Sequence, residues 1–411
     1  MSPILPLLAP SAEKPTQGAD SLVHRRIFGL DLLRALAILM VLFAHAQSFT
    51  SEQLPWTRYF CVGGMIGVEL FFVLSGYLIG GQLLALGQRL NNRHELFTFY
   101  RRRWYRTVPN FVLYLLLNQL LWSLLGRHTP PLLPYLGFVQ SWAWPHPAFM
   151  PEAWSLSIEE WFYLLTPGLI FLLLRRGLGT MRAFTTASLI FLILPLLLRM
   201  FAVQAWNLDW ERGIRQTTVL RLDAIMYGML AVAAHDRFPE LWKRFRLPLL
   251  FSGLAILAWG VHHYFTVPLA STWRSRTILF SILPFGTALL VPFCSLLKTC
   301  PIPTVALPVE RTAAWSYSLY LANIPVLVML DYFSLAGPLR ATRAGAIIMA
   351  ILFFAGAYLL SWLTYTYCER PFLKLRSKVA RHSTSEDPME TGPTCNTGHS
   401  TKLPPPMRKP G

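Results

Sequence analysis

Long apolar runs, each roughly 17 to 25 residues and bounded by charges or by Pro and Gly, dominate this chain, and that is the length a helix needs to cross a hydrocarbon core. Inside a bilayer every backbone N–H and C=O must be satisfied within the protein, so an uninterrupted apolar run of this length can only be a helix. Ten such spans are expected, at 30–49, 61–86, 105–125, 154–174, 183–203, 219–235, 248–265, 277–297, 312–333 and 344–366. The fold class is therefore all-α, a polytopic membrane protein of about ten transmembrane helices. Composition agrees, with 54% hydrophobic and 14% charged residues, where a soluble domain carries about 25% charged. A soluble enzyme, a disordered chain and a disulfide scaffold are all excluded.

The net charge of +17 would suggest nucleic acid in a soluble protein, but in a membrane protein it first reports orientation. Basic residues are retained on the cytoplasmic side of spanning helices. An even number of spans places both termini on one side. With that side cytoplasmic, 26 of the 37 Lys and Arg fall inside, eight outside, and three within helices at Arg34, Arg199 and Arg221. The expectation is both termini inside and no nucleic-acid partner.

Residues 1–28 hold a short proline-broken apolar stretch without a basic leader, and they are expected to be a disordered cytoplasmic segment rather than a cleaved signal. The domain of interest runs over 29–376. Residues 377–411 turn polar and rich in Pro, Ser and Thr, which reads as a disordered cytoplasmic tail, with no soluble catalytic domain appended. The five cysteines form no CxxC, so neither a disulfide nor a metal site is expected. The chain has no internal repeat.

Charges inside a spanning segment are costly and mark function by default. Those out of place here are Asp31, Arg34, His45, Glu69, Glu159, Glu160, Arg199, Arg221 and Asp223. Arg34 and His45 are eleven residues apart, which brings them to one face of the first helix, about 16 Å apart along its axis. His45 falls in the outer part of the membrane. Glu69, in GVELFFVLSGYLIG, reaches a similar depth, where a carboxylate can hold one imidazole nitrogen and present the other as a base. Glu159 and Glu160 lie about five residues in from the outer end of their helix and point about 100° apart, so at most one faces a site. Arg221 and Asp223 share that depth and either neutralise each other or line a polar acceptor pocket. At the inner end FYRRRWYRTVPNF supplies Arg101, Arg102, Arg103 and Arg106, a clamp suited to phosphates.

The pieces LDLLRALAILMVLFAHA, GVELFFVLSGYLIG, RRRWYRTVP, WSLSIEEWFYLLTP, LRLDAIMYGMLA, SYSLYLANIP and CERPFLKL occur in order over about 28–376. Together they resemble the acyltransferase-3 family of integral-membrane acyltransferases. The resemblance implies an O-acetyltransferase of the bacterial inner membrane, multi-pass, moving an acyl group, usually acetyl, from cytoplasmic acyl-CoA. The acceptor would be a hydroxyl of a cell-surface or exported polysaccharide or a lipid-linked glycan. Acetyl-CoA would be a donor substrate, with no permanently bound cofactor, and the partners would be the lipid bilayer, acyl-CoA and a carbohydrate or glycolipid acceptor.

The resemblance makes His45 and Arg34 the essential pair. The reading of the residues fits the same division: Glu69 would orient His45, Arg34 with Arg101, Arg102, Arg103 and Arg106 would hold the CoA phosphates, and Glu159, Glu160, Arg221 and Asp223 would face the acceptor. His45 would act as general base or carry the acyl group transiently. The chain departs from the family at Asn323, where members often have His, which puts catalysis by that position in doubt. Two other functions fit the same charges. One is acylation of a small secondary metabolite such as a macrolide, and the other is a proton-coupled transporter or flippase.

Overall fold

The computed structural model describes residues 27–332 and 340–375, and every regular element among them is helical. The expected disordered segments, 1–28 and 377–411, fall outside the described residues apart from Ile27 and Phe28, and Phe28 opens the first helix. The main elements are α1 (Phe28–Thr50), α2 (Phe60–Leu86), α3 (Arg93–Leu124), α4 (Ala153–Arg175), α5 (Thr180–Ala205), α6 (Asp223–Arg237), α7 (Arg246–Thr266), α8 (Leu279–Ala288), α9 (Val291–Leu296), α10 (Pro303–Tyr332) and α11 (Arg343–Thr364).

Among the described residues nine helical stretches are long and apolar enough to cross a membrane. The expected span at 219–235 is realised as α6, only 15 residues long. At 1.5 Å per residue that is about 22 Å, short of the roughly 30 Å hydrocarbon core. A 3₁₀ turn at Thr218–Leu220 precedes it, and Arg221 and Asp223 lie wholly inside the protein.

The span expected at 105–125 starts twelve residues earlier, at Arg93. Asn92 caps this helix, its side chain accepting from the His94 amide at 2.9 Å, with Glu95 at the third helical position, a pairing that stabilises helix starts. The arginines from 101 to 106 are thus built into α3 rather than strung before it.

Helices α1, α2, α6 and α10 form the centre of the bundle, while α7 exposes most of its apolar side chains outward, as a lipid-facing helix does. The α2–α6 contact is backbone against backbone. A Cβ on Gly76 would lie 2.0 Å from the Ile225 carbonyl oxygen, and one on Gly228 would lie 2.0 Å from that of Val73. Small residues permit this close approach in membrane bundles, and it brings charged groups of the two helices within reach of each other.

Two single-turn π segments interrupt the pattern, at Trp210–Arg215 and Tyr365–Glu369. Such turns are rare and frequent at functional sites. Each carries a charged residue into one of the two polar regions described next.

Candidate active site

His45 lies in the last two turns of α1 and lines a cavity of about 260 Å³. Its Nδ1 is 2.6 Å from Asn323 Oδ1 on α10. The Asn323 amide nitrogen is spent on two backbone carbonyls, Tyr320 O at 2.6 Å and Leu319 O at 3.3 Å. Turning the amide over would set its oxygen against those carbonyl oxygens, so Oδ1 faces the imidazole and must accept. Nδ1 therefore carries the proton, and Nε2 is left as the basic nitrogen.

Around the cavity stand groups that no helical periodicity marks. The π segment supplies Trp210, Glu211 and Arg215. Asp209 fixes its start by accepting from the Arg212 amide at 2.6 Å. Arg215 pairs with Glu211 and lies over the Trp154 ring at 4.8 Å. Tyr320 closes another side, its hydroxyl 2.7 Å from Ser155 Oγ.

Glu152 lies at the N-cap of α4, reached through Met150, which takes a left-handed φ of +48° while its side chain is fully buried. That conformation costs about 1–2 kcal/mol for a residue with a Cβ, and such strain concentrates at functional sites. Sequence reasoning missed Glu152, Glu211 and Arg215. All three lie outside the apolar runs, and only the mixture of tryptophan with charge in PEAW and WERGIR could have flagged them.

Glu69 reaches the depth of this cavity, since its neighbours Met65 and Val68 line it. Its carboxylate nevertheless does not meet His45. It is fully buried and accepts from Arg221 Nη2 at 2.5 Å. The expected orienting role falls to Asn323 instead, because the close α2–α6 contact brings Glu69 to Arg221 in the turn that leads into α6. Asp223 is likewise committed, gripped by Arg199 through Nη2 at 2.8 Å and Nη1 at 3.1 Å, and by Ser281 Oγ at 3.0 Å. Arg221 and Asp223 thus neither pair with each other nor line the cavity, and ion pairs that seal two helices leave them no surface for an acceptor.

Glu159 and Glu160 also stand elsewhere than expected. Glu159 is seven residues beyond Glu152 along α4, about 10 Å further from the His45 cavity. It accepts from Ser75 Oγ at 2.8 Å and from the Tyr163 hydroxyl at 3.1 Å. Glu159 and Tyr163 lie in the field of Arg34, which also feels Arg106 and Asp31. Glu369, delivered by the second π segment, is charge-coupled to Arg34 and Arg106 and accepts from Ser318 Oγ at 2.7 Å. Glu160 sits beside Thr107 and Arg103.

A second polar region thus forms at the opposite end of α1 from His45, centred on Arg34 and Arg106. The other α3 arginines divide. Arg103 is buried, donates to Gln82 Oε1 at 2.7 Å and lies against the Phe99 and Tyr163 rings. Arg102 is charge-coupled to Arg101 and to the Arg89–Glu95 pair, away from Arg34.

One helix therefore presents a cation at one end and a tautomer-fixed imidazole at the other, each inside its own polar chamber. That layout keeps the basic end of α1 apart from the imidazole end. Residues 27–366 match the family model described as an acyltransferase domain, and the chain belongs to this acyltransferase-3 family of membrane proteins.

The chain is similar to the O-acetyltransferase OatA of Staphylococcus aureus, 26% identical over 379 residues, covering 85% of this chain and 58% of the relative. It is similar to the putative peptidoglycan O-acetyltransferase YrhL of Bacillus subtilis, also at 26%, over 85% of this chain and 55% of that protein. The peptidoglycan O-acetyltransferase OatA of Listeria monocytogenes is 31% identical over 165 residues, covering 36% of this chain and 24% of its own. The chain spans little more than half the length of the first two relatives. No solved structure matches it.

Proposed function

We propose that this protein is a membrane O-acetyltransferase that moves an acyl group, most simply acetyl, from cytoplasmic acyl-CoA to a hydroxyl of a surface or exported glycan. The observation that carries the reading is the His45–Asn323 pair, 2.6 Å long, on the same helix face as Arg34. The Lys and Arg bias argues for the Arg34 end, with both chain termini, being cytoplasmic. Arg34 and Arg106 would take the CoA phosphates there, and the narrow pantetheine arm would bridge the roughly 16 Å along α1 to His45.

In the transfer step the acceptor hydroxyl oxygen attacks the thioester carbonyl carbon while His45 Nε2 removes the hydroxyl proton. The new C–O bond forms, the tetrahedral intermediate collapses, and the C–S bond breaks. The His45 imidazolium then returns the proton to the departing sulfur, which leaves as CoA thiol. Asn323 supports this by holding Nδ1–H throughout. The relatives' printed names, an O-acetyltransferase and two peptidoglycan O-acetyltransferases, one of them putative, favour acetyl as the group and a glycan as the acceptor.

The test is CoA release by the purified protein in nanodiscs with acetyl-CoA and a glycan acceptor. Wild type should release CoA, and His45→Ala should lose about 10²- to 10⁴-fold of the rate, the contribution of general acid–base catalysis. A transporter would release none, and undiminished release by His45→Ala would remove the histidine from the mechanism.

A further inference from the structure

Among the described residues, every buried carboxylate but one is given a partner. Arg221 holds Glu69, Arg199 holds Asp223, Ser75 and Tyr163 hold Glu159, and Ser318 holds Glu369. Among the described residues Glu152 alone has both carboxyl oxygens buried with no hydrogen-bonding partner from another residue, in a side chain only 4% exposed. Leaving such a group unpaired costs several kcal/mol. The surrounding structure nonetheless secures its position: its backbone carbonyl accepts from Ser155 Oγ and from the Tyr320 hydroxyl, both at 3.3 Å. Glu152 and His45 line the same cavity.

We propose that Glu152 is the acceptor-binding group of this cavity, holding one hydroxyl of a neutral sugar ring while a neighbouring hydroxyl of that ring is presented to His45. The inference rests on the acyltransferase reading for what happens at His45, but the binding it asserts does not need that chemistry. The lining sets the ligand class. Its one cation, Arg215, is already taken by Glu211 and the Trp154 face. Set against the carboxyl groups of Glu152 and Glu211, this disfavours an anionic ligand. Trp154, Trp210 and Tyr264 contribute aromatic walls, which suit the apolar faces of a pyranose. A volume of about 260 Å³ is below the roughly 300–1,000 Å³ of drug-sized pockets, so it holds one ring at a time and the rest of a longer glycan must lie outside.

The experiment uses the full chain in nanodiscs and Cys61, which lines the same cavity, as a built-in reporter. Alkylation of Cys61 by a maleimide is followed by peptide mass spectrometry with methyl hexopyranosides added, and with methyl glucuronide and glucosamine as anionic and cationic counterparts. Neutral hexosides should slow labelling in wild type. Glu152→Ala should need about tenfold more sugar for the same protection, the loss expected for one good hydrogen bond, and Glu152→Gln, which keeps donor and acceptor atoms, should stay within a few-fold of wild type.

Three results overturn the proposal: no protection by any hexoside, equal protection in Glu152→Ala, or protection by glucosamine or the glucuronide alone. Should Glu152→Ala fail to fold, a Glu152→Leu variant that folds and protects like wild type overturns it equally. Failure of the acyltransferase reading would appear separately, as sugar protection without CoA release.

Discussion

His45 Nδ1 and Asn323 Oδ1 lie 2.6 Å apart across 278 residues of sequence, and the two carbonyls behind Asn323 decide which atom of that contact carries the proton. The relationship makes Asn323 a positioning residue. Asn323→Leu removes the acceptor and frees the imidazole to choose either tautomer, so kcat should fall by about 10²-fold, the lower part of the range for misplaced acid–base groups. Asn323→Asp keeps an acceptor and adds charge that raises the basicity of His45, so it should retain more activity than the leucine variant and shift the acidic limb of the pH–rate profile upward. Equal losses in the two variants, with unshifted profiles, would reduce Asn323 to a packing role.

Glu69 and Arg221, paired at 2.5 Å with both side chains fully buried, should behave as a structural unit. Breaking a buried ion pair by removing one partner typically costs about 3–5 kcal/mol. Glu69→Leu or Arg221→Leu alone should therefore lower thermal stability and membrane yield sharply, and the double leucine variant should recover much of both. Recovery of CoA release along with stability would separate this pair from catalysis. A double variant that is stable yet inactive would return Glu69 to the active site.

What the sequence made legible follows from periodicity. The apolar runs located the helices, and the eleven-residue spacing placed Arg34 and His45 on one face of α1. The partner of Glu69 was not legible, because it is chosen by the approach of Gly76 and Gly228, which lie in separate helices. Depth within a helix was legible only as well as the helix ends were. The apolar run at 154–174 puts Glu159 only about five residues in from the outer end, although Glu152 holds the level of the cavity and Glu159 sits two turns deeper. The groups lining the cavity from Trp210–Arg215 lie on an irregular turn, where neither a 3.6-residue nor a 2-residue period exists to read.

Glu152 lies just outside α4, and burial pushes its carboxyl from 4.5 up to about 8. A raised acid favours folding in its protonated form. The stabilisation is complete below the unfolded value near 4.5 and fades as pH rises through about 8. Glu152→Gln lacks this titration. The melting temperature of wild type minus that of Glu152→Gln should thus decline steadily between pH 5 and 8 in the absence of sugar. A difference that stays flat across that window would mean the carboxyl is hydrated.

The arginines of α3 predict a graded series that separates donor binding from architecture. Arg106 shares the field of Arg34, Glu369 and Glu159, so Arg106→Ala and Arg34→Ala should each raise the KM for acetyl-CoA by about tenfold or more, the loss of a charge-assisted contact. Arg103 is turned onto Gln82 and two aromatic rings. Arg103→Ala should lower the melting temperature while leaving the donor KM nearly unchanged. Arg102 should tolerate alanine with little change in KM, because its charge partners are Arg101, Arg89 and Glu95 rather than Arg34. Raising the salt should weaken donor binding in wild type and leave Arg106→Ala less sensitive, because one screened charge is already gone. If all three α3 variants shifted the donor KM alike, the basic cluster would act as a diffuse field rather than as the Arg34–Arg106 site.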